Sequence, residues 1–249
     1  MSYSPQQEQY QNPYQAYAVP AAQAGVNERA EFIKKTYLHL GAAIVAFVLL
    51  QAAIFTSGVA EDIAATILGN RFGWLMVLGV FMLVSWIANS WANSATSKGM
   101  QYAGLALYVV AEAIIFVPLL YFARIMEETK GVDIIQPAAL ITLFLFGGLT
   151  AIVMLTAKDF SFLRTGLWAG GLAALGLIVC SILFGFNLGI VFTWFMVVLM
   201  CGYILFFTSN VLHHYQTTQY VAAALALFSS IATLFWYVIQ LVMRYSSSD

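Results

Sequence analysis

Charged residues are scarce in this chain of 249 residues, of which only 8% are Asp, Glu, Lys or Arg. A typical soluble domain has about 25% charged residues. From Thr165 to Met243 there is no charged residue at all. So few charges cannot cover a water-soluble globule, whereas lipid tails solvate apolar side chains. The composition therefore predicts a polytopic membrane protein in a lipid bilayer, and the net charge of -1 argues against a nucleic-acid partner.

Enzyme motifs are also missing, because the chain has no HExxH, GxSxG or phosphate-binding P-loop sequence. Both cysteines, Cys180 and Cys201, lie in apolar runs and are interpreted as buried hydrophobic residues rather than a disulfide or metal pair. We expect no enzymatic activity, no catalytic residue, no cofactor and no bound metal.

The first 26 residues, MSYSPQQEQYQNPYQAYAVPAAQAGV, are rich in Gln, Tyr, Pro and Ala. Such a segment lacks the branched aliphatic residues that form a core, so residues 1–26 are predicted to be a disordered polar tail. An alternative is that its tyrosines mediate self-association or bind a partner. Residues 27–249 are predicted to be the transmembrane domain.

Seven apolar runs are long enough to cross a membrane as helices, which takes about 20 residues. The alternation of polar and apolar residues that is typical of β-barrel strands is absent. We therefore predict an all-α fold with seven transmembrane helices near 37–57, 73–95, 100–123, 134–157, 166–186, 188–209 and 219–242. With the N-terminus inside, six Lys and Arg residues lie in inner segments and four in outer ones, which predicts a cytoplasmic N-terminus.

Glu112 is the only carboxylate inside a predicted span. An acidic residue at the centre of a membrane helix costs about 2.5–3.5 kcal/mol, so it should face the bundle interior or water. It is our candidate for a cation or proton site on a permeation path. The alternative is a structural role, in which Glu112 is protonated and hydrogen-bonds a neighbouring helix.

Other polar residues are weaker candidates. The amide residues Asn89, Asn93, Gln51 and Gln240 lie within predicted spans, and interhelical hydrogen bonds are their expected role. His213 and His214 are adjacent in a predicted loop at the inner surface. A metal site there is the less favoured interpretation, and weak sensing of pH is the plainer one.

Four segments resemble the Bax-inhibitor family, especially its bacterial YccA-like branch. GYILFFTSNVLHH, from Gly202 to His214, is similar to the sixth span of the family, and AKDFSFLRTGLWAGG to the loop into its fifth span. FIKKTYLHL resembles the entry into the first span, and LYVVAEAIIFVPLL the third span, with Ala113 where the family usually has Gly. The motifs occur in the family's order over residues 27–243.

This resemblance implies six helices around a central seventh. It also implies a role in calcium leak, in suppression of cell death or, in bacteria, in membrane-protein quality control at the inner membrane. Calcium-leak members pair an acid of the sixth span with one of the seventh as a pH-dependent latch. The matching positions here are Phe207 and Ser230, or Ser229 if the loop differs by one residue, so the latch is expected to be lost.

Two functions from different classes follow. One is a cation leak, with calcium as the implied ion, that uses Glu112 and lacks the di-acid latch. The other is a non-conducting protein that binds a membrane quality-control protease through its tail and helix faces. A transporter for a small solute is a weaker third option, because no pair of broken helices is evident.

Overall fold

The computed structural model describes residues 19–69 and 72–247. Within these residues the chain forms eight α-helices and one short 3₁₀ turn, Ser161–Leu163. The helices are α1 (Val26–Thr56), α2 (Ala60–Leu68), α3 (Gly73–Ala92), α4 (Lys98–Lys130), α5 (Ile135–Thr156), α6 (Arg164–Phe184), α7 (Gly189–His213) and α8 (Tyr220–Ser246). We call the membrane face at which α1 begins the N side, and the face at which α8 ends the C side.

Seven of the helices are long and apolar enough to cross a membrane, and the all-α prediction with seven spans is confirmed. The spans are all the helices except α2. Helix α2 has nine residues and was not predicted, because it is far too short to cross a membrane. It lies on the C side and packs against α3 and α4.

Large apolar side chains cover the outside of the bundle. Trp86 is 73% exposed, Phe144 81% and Leu155 87% within the described residues. Exposure on this scale is unfavourable in water but not in hydrocarbon, where the surrounding lipid is as apolar as the side chain. The outer surface therefore has the character expected of helices that contact lipid.

Helix α8 is the centre of the bundle, as the predicted central seventh span requires. It packs against α1, α3, α4, α5 and α7. In the apolar stretch of α8, 72% of the residues are buried by protein, compared with 11% in the stretches of α3 and α6. Small residues such as Ala222, Ala223 and Ala224 let neighbouring helices approach it closely, and packing of this kind drives helix association in lipid.

Glycine sets the distance between two pairs of helices. A Cβ atom at Gly104 of α4 would lie 2.5 Å from the carbonyl oxygen of Ala88 and 2.6 Å from the amide nitrogen of Ala92, both in α3. A Cβ atom at Gly170 of α6 would lie 2.8 Å from Leu199 of α7. A Cβ atom at Gly170 would thus meet a flexible side chain, whereas one at Gly104 would meet backbone atoms.

The segment before α1 contacts the loop between α7 and α8. The amide of Ala21 donates to the carbonyl of Tyr215 at 2.9 Å, and the amide of Thr217 donates to the carbonyl of Val19 at 3.0 Å. Ala21 is fully buried. The described part of the predicted tail, residues 19–25, is therefore paired to the bundle, and residues 1–18 lie outside the described residues.

Candidate functional site

Glu112 lies midway along α4 and is 4% exposed. Its carboxyl group lines a cavity of about 630 Å³, here named the C-side cavity. The loop between α6 and α7 lines the same cavity, as does Arg244 near the end of α8, so the cavity lies towards the C side. Thr193, Thr233 and Gln240 add further polar groups to its wall. The carboxyl group thus belongs to a partly polar internal space rather than to the lipid surface.

A second cavity, of about 680 Å³, lies towards the opposite membrane face and is named the N-side cavity. Arg164 and His214 line it near the N side, and Ser229, Ser230 and Thr233 of α8 line its deeper part. Thr233 lines both cavities and lies at the middle of α8. The two cavities therefore approach each other at Thr233, and the side chains around it form the wall between them.

Tyr108 connects groups that line the two cavities. Its hydroxyl oxygen lies 2.9 Å from Oε1 of Glu112 and 2.9 Å from Oγ of Ser229. A phenol hydroxyl carries one hydrogen, so when it donates to Glu112 it accepts from Ser229, and when Glu112 is protonated it can donate to Ser229 instead. Sequence reasoning missed Tyr108, although its spacing of four residues from Glu112 puts both on one face of α4.

Phe207 and Ser230 line the same N-side cavity, where the resemblance places the latch acids of relatives. The Phe207 ring stacks on Tyr203 at 5.8 Å between centroids. The Ser230 hydroxyl donates to the carbonyl of Ala226, one turn earlier in its own helix. Neither side chain carries a titratable proton, while the adjacent Ser229 is the one that contacts Tyr108.

The four intramembrane amides differ in their contacts. Gln51 of α1 donates to the carbonyl of Ala113 in α4 at 2.7 Å, which is an interhelical bond of the expected kind. Gln240 lines the C-side cavity. Asn89 and Asn93 instead donate to carbonyls of their own helix and are exposed. Their expected interhelical bonds are not present among the described residues: Asn89 is exposed on α3, while Asn93, just after the end of α3, lines a cavity with Gln101 and Gln219.

Asp159 links the loop before α6 to the end of α7 by a hydrogen bond and an ion pair. Its carboxylate accepts from the amide of Ser161 at 2.8 Å and from the hydroxyl of Ser209 at 3.3 Å. The other carboxylate oxygen pairs with Nε2 of His214 at 3.1 Å. The amide of Ser161, with a smaller contribution from His214, holds the pKa of Asp159 below its usual range. Sequence reasoning did not assign Asp159 a role, since its partners lie about fifty residues away.

His213 and His214 do not share a site. His213 contacts the carbonyl of Ser209 in its own helix at 3.0 Å, whereas His214 contacts Asp159. In the part of the chain that the structure describes, no three His, Cys, Asp or Glu residues are grouped so that they could hold a metal ion.

Comparison with known proteins gives a consistent result. The family model described as "Inhibitor of apoptosis-promoting Bax1" matches residues 29–247. Bax inhibitor 1 of Schizosaccharomyces pombe is 26% identical over 241 residues, which cover 92% of this chain and 82% of that protein. An uncharacterized membrane protein of Vibrio cholerae is 23% identical over 223 residues, covering 89% of this chain and 93% of that protein.

The chain also has a shorter match to the Golgi anti-apoptotic protein of vaccinia virus strain Lister, which is 29% identical over 116 residues. That match covers 45% of this chain and 47% of the viral protein. No solved structure matches the chain. The family match spans residues 29–247, which include almost all of the seven spans, and the chain therefore belongs to the Bax inhibitor family of multi-pass membrane proteins.

Proposed function

We propose that this protein is a passive, non-enzymatic leak for cations, with calcium as the ion, in the bacterial inner membrane. The observation that carries the proposal is the pair of cavities that enter the bundle from opposite sides and approach each other at Thr233. A leak path needs water-accessible space on both sides of a short barrier, and two cavities whose walls share Thr233 support such an arrangement. Separation of the barrier at Thr233 by a small movement of α8 would join them.

Glu112 gives this path its preference for cations. Among the residues that the structure describes, it is the only acid that lines either cavity, and it lies beside the barrier. A carboxylate in a space of low dielectric attracts a cation more strongly than one in bulk water does. Arg244 and Arg164 lie nearer the two ends and carry the opposite charge, so the inner position of Glu112 decides the selectivity.

The test is calcium entry into liposomes that contain the purified protein and an internal calcium dye. We expect flux above that of empty liposomes, and a lower flux for Glu112→Gln, which keeps the size of the side chain but removes its charge. Glu61→Gln is the matched control, because Glu61 is exposed in α2 and lines neither cavity. Absence of flux from the unaltered protein would reject the leak and favour the alternative, a non-conducting partner of a membrane quality-control protease.

We also propose that the N side faces the cytoplasm, on the basis of the excess of Lys and Arg in the segments on that side. Single cysteines at Ser57 and Lys158, which lie on opposite sides of the membrane, test this in a background without Cys180 and Cys201. Ser57→Cys should react with an impermeant maleimide in spheroplasts, and Lys158→Cys only after permeabilisation. The reverse pattern would invert the orientation.

A further inference from the structure

A continuous chain of hydrogen-bonding groups crosses the wall between the two cavities. Ser229 lines the N-side cavity, Glu112 lines the C-side cavity, and the Tyr108 hydroxyl lies between them, 2.9 Å from each. Both separations lie within the range of well-formed O–H···O hydrogen bonds. The three groups come from only two helices, α4 and α8, which pack directly on each other.

We propose that Ser229, Tyr108 and Glu112 form a relay that conducts protons between the two cavities. The proposal goes beyond the cation leak, because the relay needs no open path for a hydrated ion. Protons pass along the hydrogen bonds while the wall stays closed, so the protein has a proton conductance of its own.

Each proton transfer along the relay breaks one O–H bond and forms another. A hydronium ion in the N-side cavity gives a proton to the Ser229 oxygen, Ser229 gives its proton to Tyr108, and Tyr108 gives its proton to the Glu112 carboxylate. Each oxygen of the two hydroxyls breaks one O–H bond and forms another, so both remain neutral. Glu112 then releases its proton to water in the C-side cavity. The hydroxyl hydrogens finally rotate back, and the chain is ready for the next proton.

The surroundings of Tyr108 favour protons over larger ions. Tyr108 is 4% exposed, and the rings of Phe81 in α3 and Phe228 in α8 lie 6.0 and 6.1 Å from its ring centroid. Neither of these neighbours is titratable. The other titratable side chains in the cavity walls are Tyr237 and Arg244 on the C side and Arg164, Tyr203 and His214 on the N side. None of them is part of the hydrogen-bonded chain through Tyr108.

Proton flux in liposomes with a trapped pH-sensitive dye tests the relay. A potassium gradient with valinomycin drives the protons, and a chelator removes divalent cations. We expect the unaltered protein to conduct protons, and both Tyr108→Phe and Glu112→Gln to lose that flux down to the rate of protein-free liposomes. Tyr108→Phe removes one oxygen and keeps the ring packed between its aromatic neighbours. Tyr121→Phe is the matched control on the same helix, because Tyr121 lines neither cavity, and it should keep the full flux.

The relay would be overturned by an absence of proton flux from the unaltered protein, by full flux from Tyr108→Phe, or by loss of flux from Tyr121→Phe as well. Calcium entry measured on the same variants separates this proposal from the leak. Tyr108→Phe should keep its calcium flux while losing its proton flux, since the hydroxyl is not needed for an open path. Loss of both fluxes together would mean that protons travel through the same water-filled path as calcium, and would also reject the relay. Thermal unfolding of each variant in detergent shows that the fold is kept.

Discussion

Replacement of Gly104 by alanine is expected to force α3 and α4 apart. The added methyl group would lie 2.5 Å from the Ala88 oxygen, whereas ordinary contact begins at 3.4 Å, so α3 has to move by about 0.9 Å. The atoms it meets at 2.5 and 2.6 Å belong to the backbone of a continuous helix, so no side-chain rotation relieves the contact.

The loss of unfolding free energy can be estimated from the known effects of overpacking in protein interiors. Extra methyl groups in a packed interior cost about 1–3 kcal/mol, and contact with backbone places Gly104→Ala at the upper end. Alanine returns up to about 1 kcal/mol through its better helix propensity. The net loss is about 2 kcal/mol, which for a chain of this size lowers the melting temperature by about 4–8 °C.

Thermal unfolding in detergent, followed by near-ultraviolet circular dichroism, measures this change. Gly79→Ala is the matched control, since a Cβ atom at Gly79 of α3 meets nothing within 4 Å. It should leave the melting temperature unchanged or raise it by about 1–4 °C. If Gly104→Ala were as stable as Gly79→Ala, the close approach of α3 and α4 would be wrong. Gly104, Tyr108 and Glu112 follow each other at four-residue intervals, so the same substitution should also disturb the relay.

Three further predictions concern the N-side end of the bundle. Deletion of residues 1–18 should leave the melting temperature unchanged. Deletion of residues 1–25 should lower it, because this also removes the hydrogen bonds to the α7–α8 loop. Equal melting temperatures for the two deletions would show that these bonds do not stabilise the fold. Asp159 has a lowered pKa, so its stabilisation is complete above the usual pKa of about 3.9 and disappears as the pH falls through the lower pKa of the folded state. Asp159→Asn should therefore lower the melting temperature at pH 7 and make it fall less between pH 5 and pH 2. If the melting temperature of the variant fell with pH as steeply as that of the unaltered protein, this role of Asp159 would be wrong. In the double variant Phe207→Asp with Ser230→Asp, calcium flux should depend on pH between 6 and 8, because two acids in one cavity share a proton. A steep pH dependence of the flux through the unaltered protein would contradict the loss of the latch.

Hydropathy determines most of the fold, because a membrane helix needs little more than a long apolar run and internally satisfied backbone. The seven spans were predictable for this reason, and the structure extends α4 beyond the predicted segment to Lys130, where Gly131 with φ +67° ends the helix. Helix α2 was missed because its nine residues are fewer than half of what a membrane span needs.

The site was less predictable, since it depends on which side chains meet. Glu112 could be identified because an intramembrane acid is costly wherever it lies. Tyr108 could not, because tyrosine is common in spans and its role depends on Ser229, 121 residues away in the chain. Asn89 and Asn93 illustrate the opposite error. Both were expected to form interhelical hydrogen bonds, but each side chain donates to a carbonyl group of α3, and no local sequence pattern distinguishes these two outcomes.

The proposed leak also has a consequence for where a membrane voltage acts. Water that filled both cavities would carry the potential of each bulk solution inwards, so most of the voltage would fall across the side chains around Thr233 instead of across the whole bilayer. A potential of 100 mV corresponds to about 2.3 kcal/mol for each elementary charge that crosses the full voltage. Nearly all of that energy would act on a charge that moves between Ser229 and Glu112. In the proposed leak the electric field at this point would therefore be stronger than in the surrounding lipid, and the occupancy of Glu112 should change with the membrane voltage.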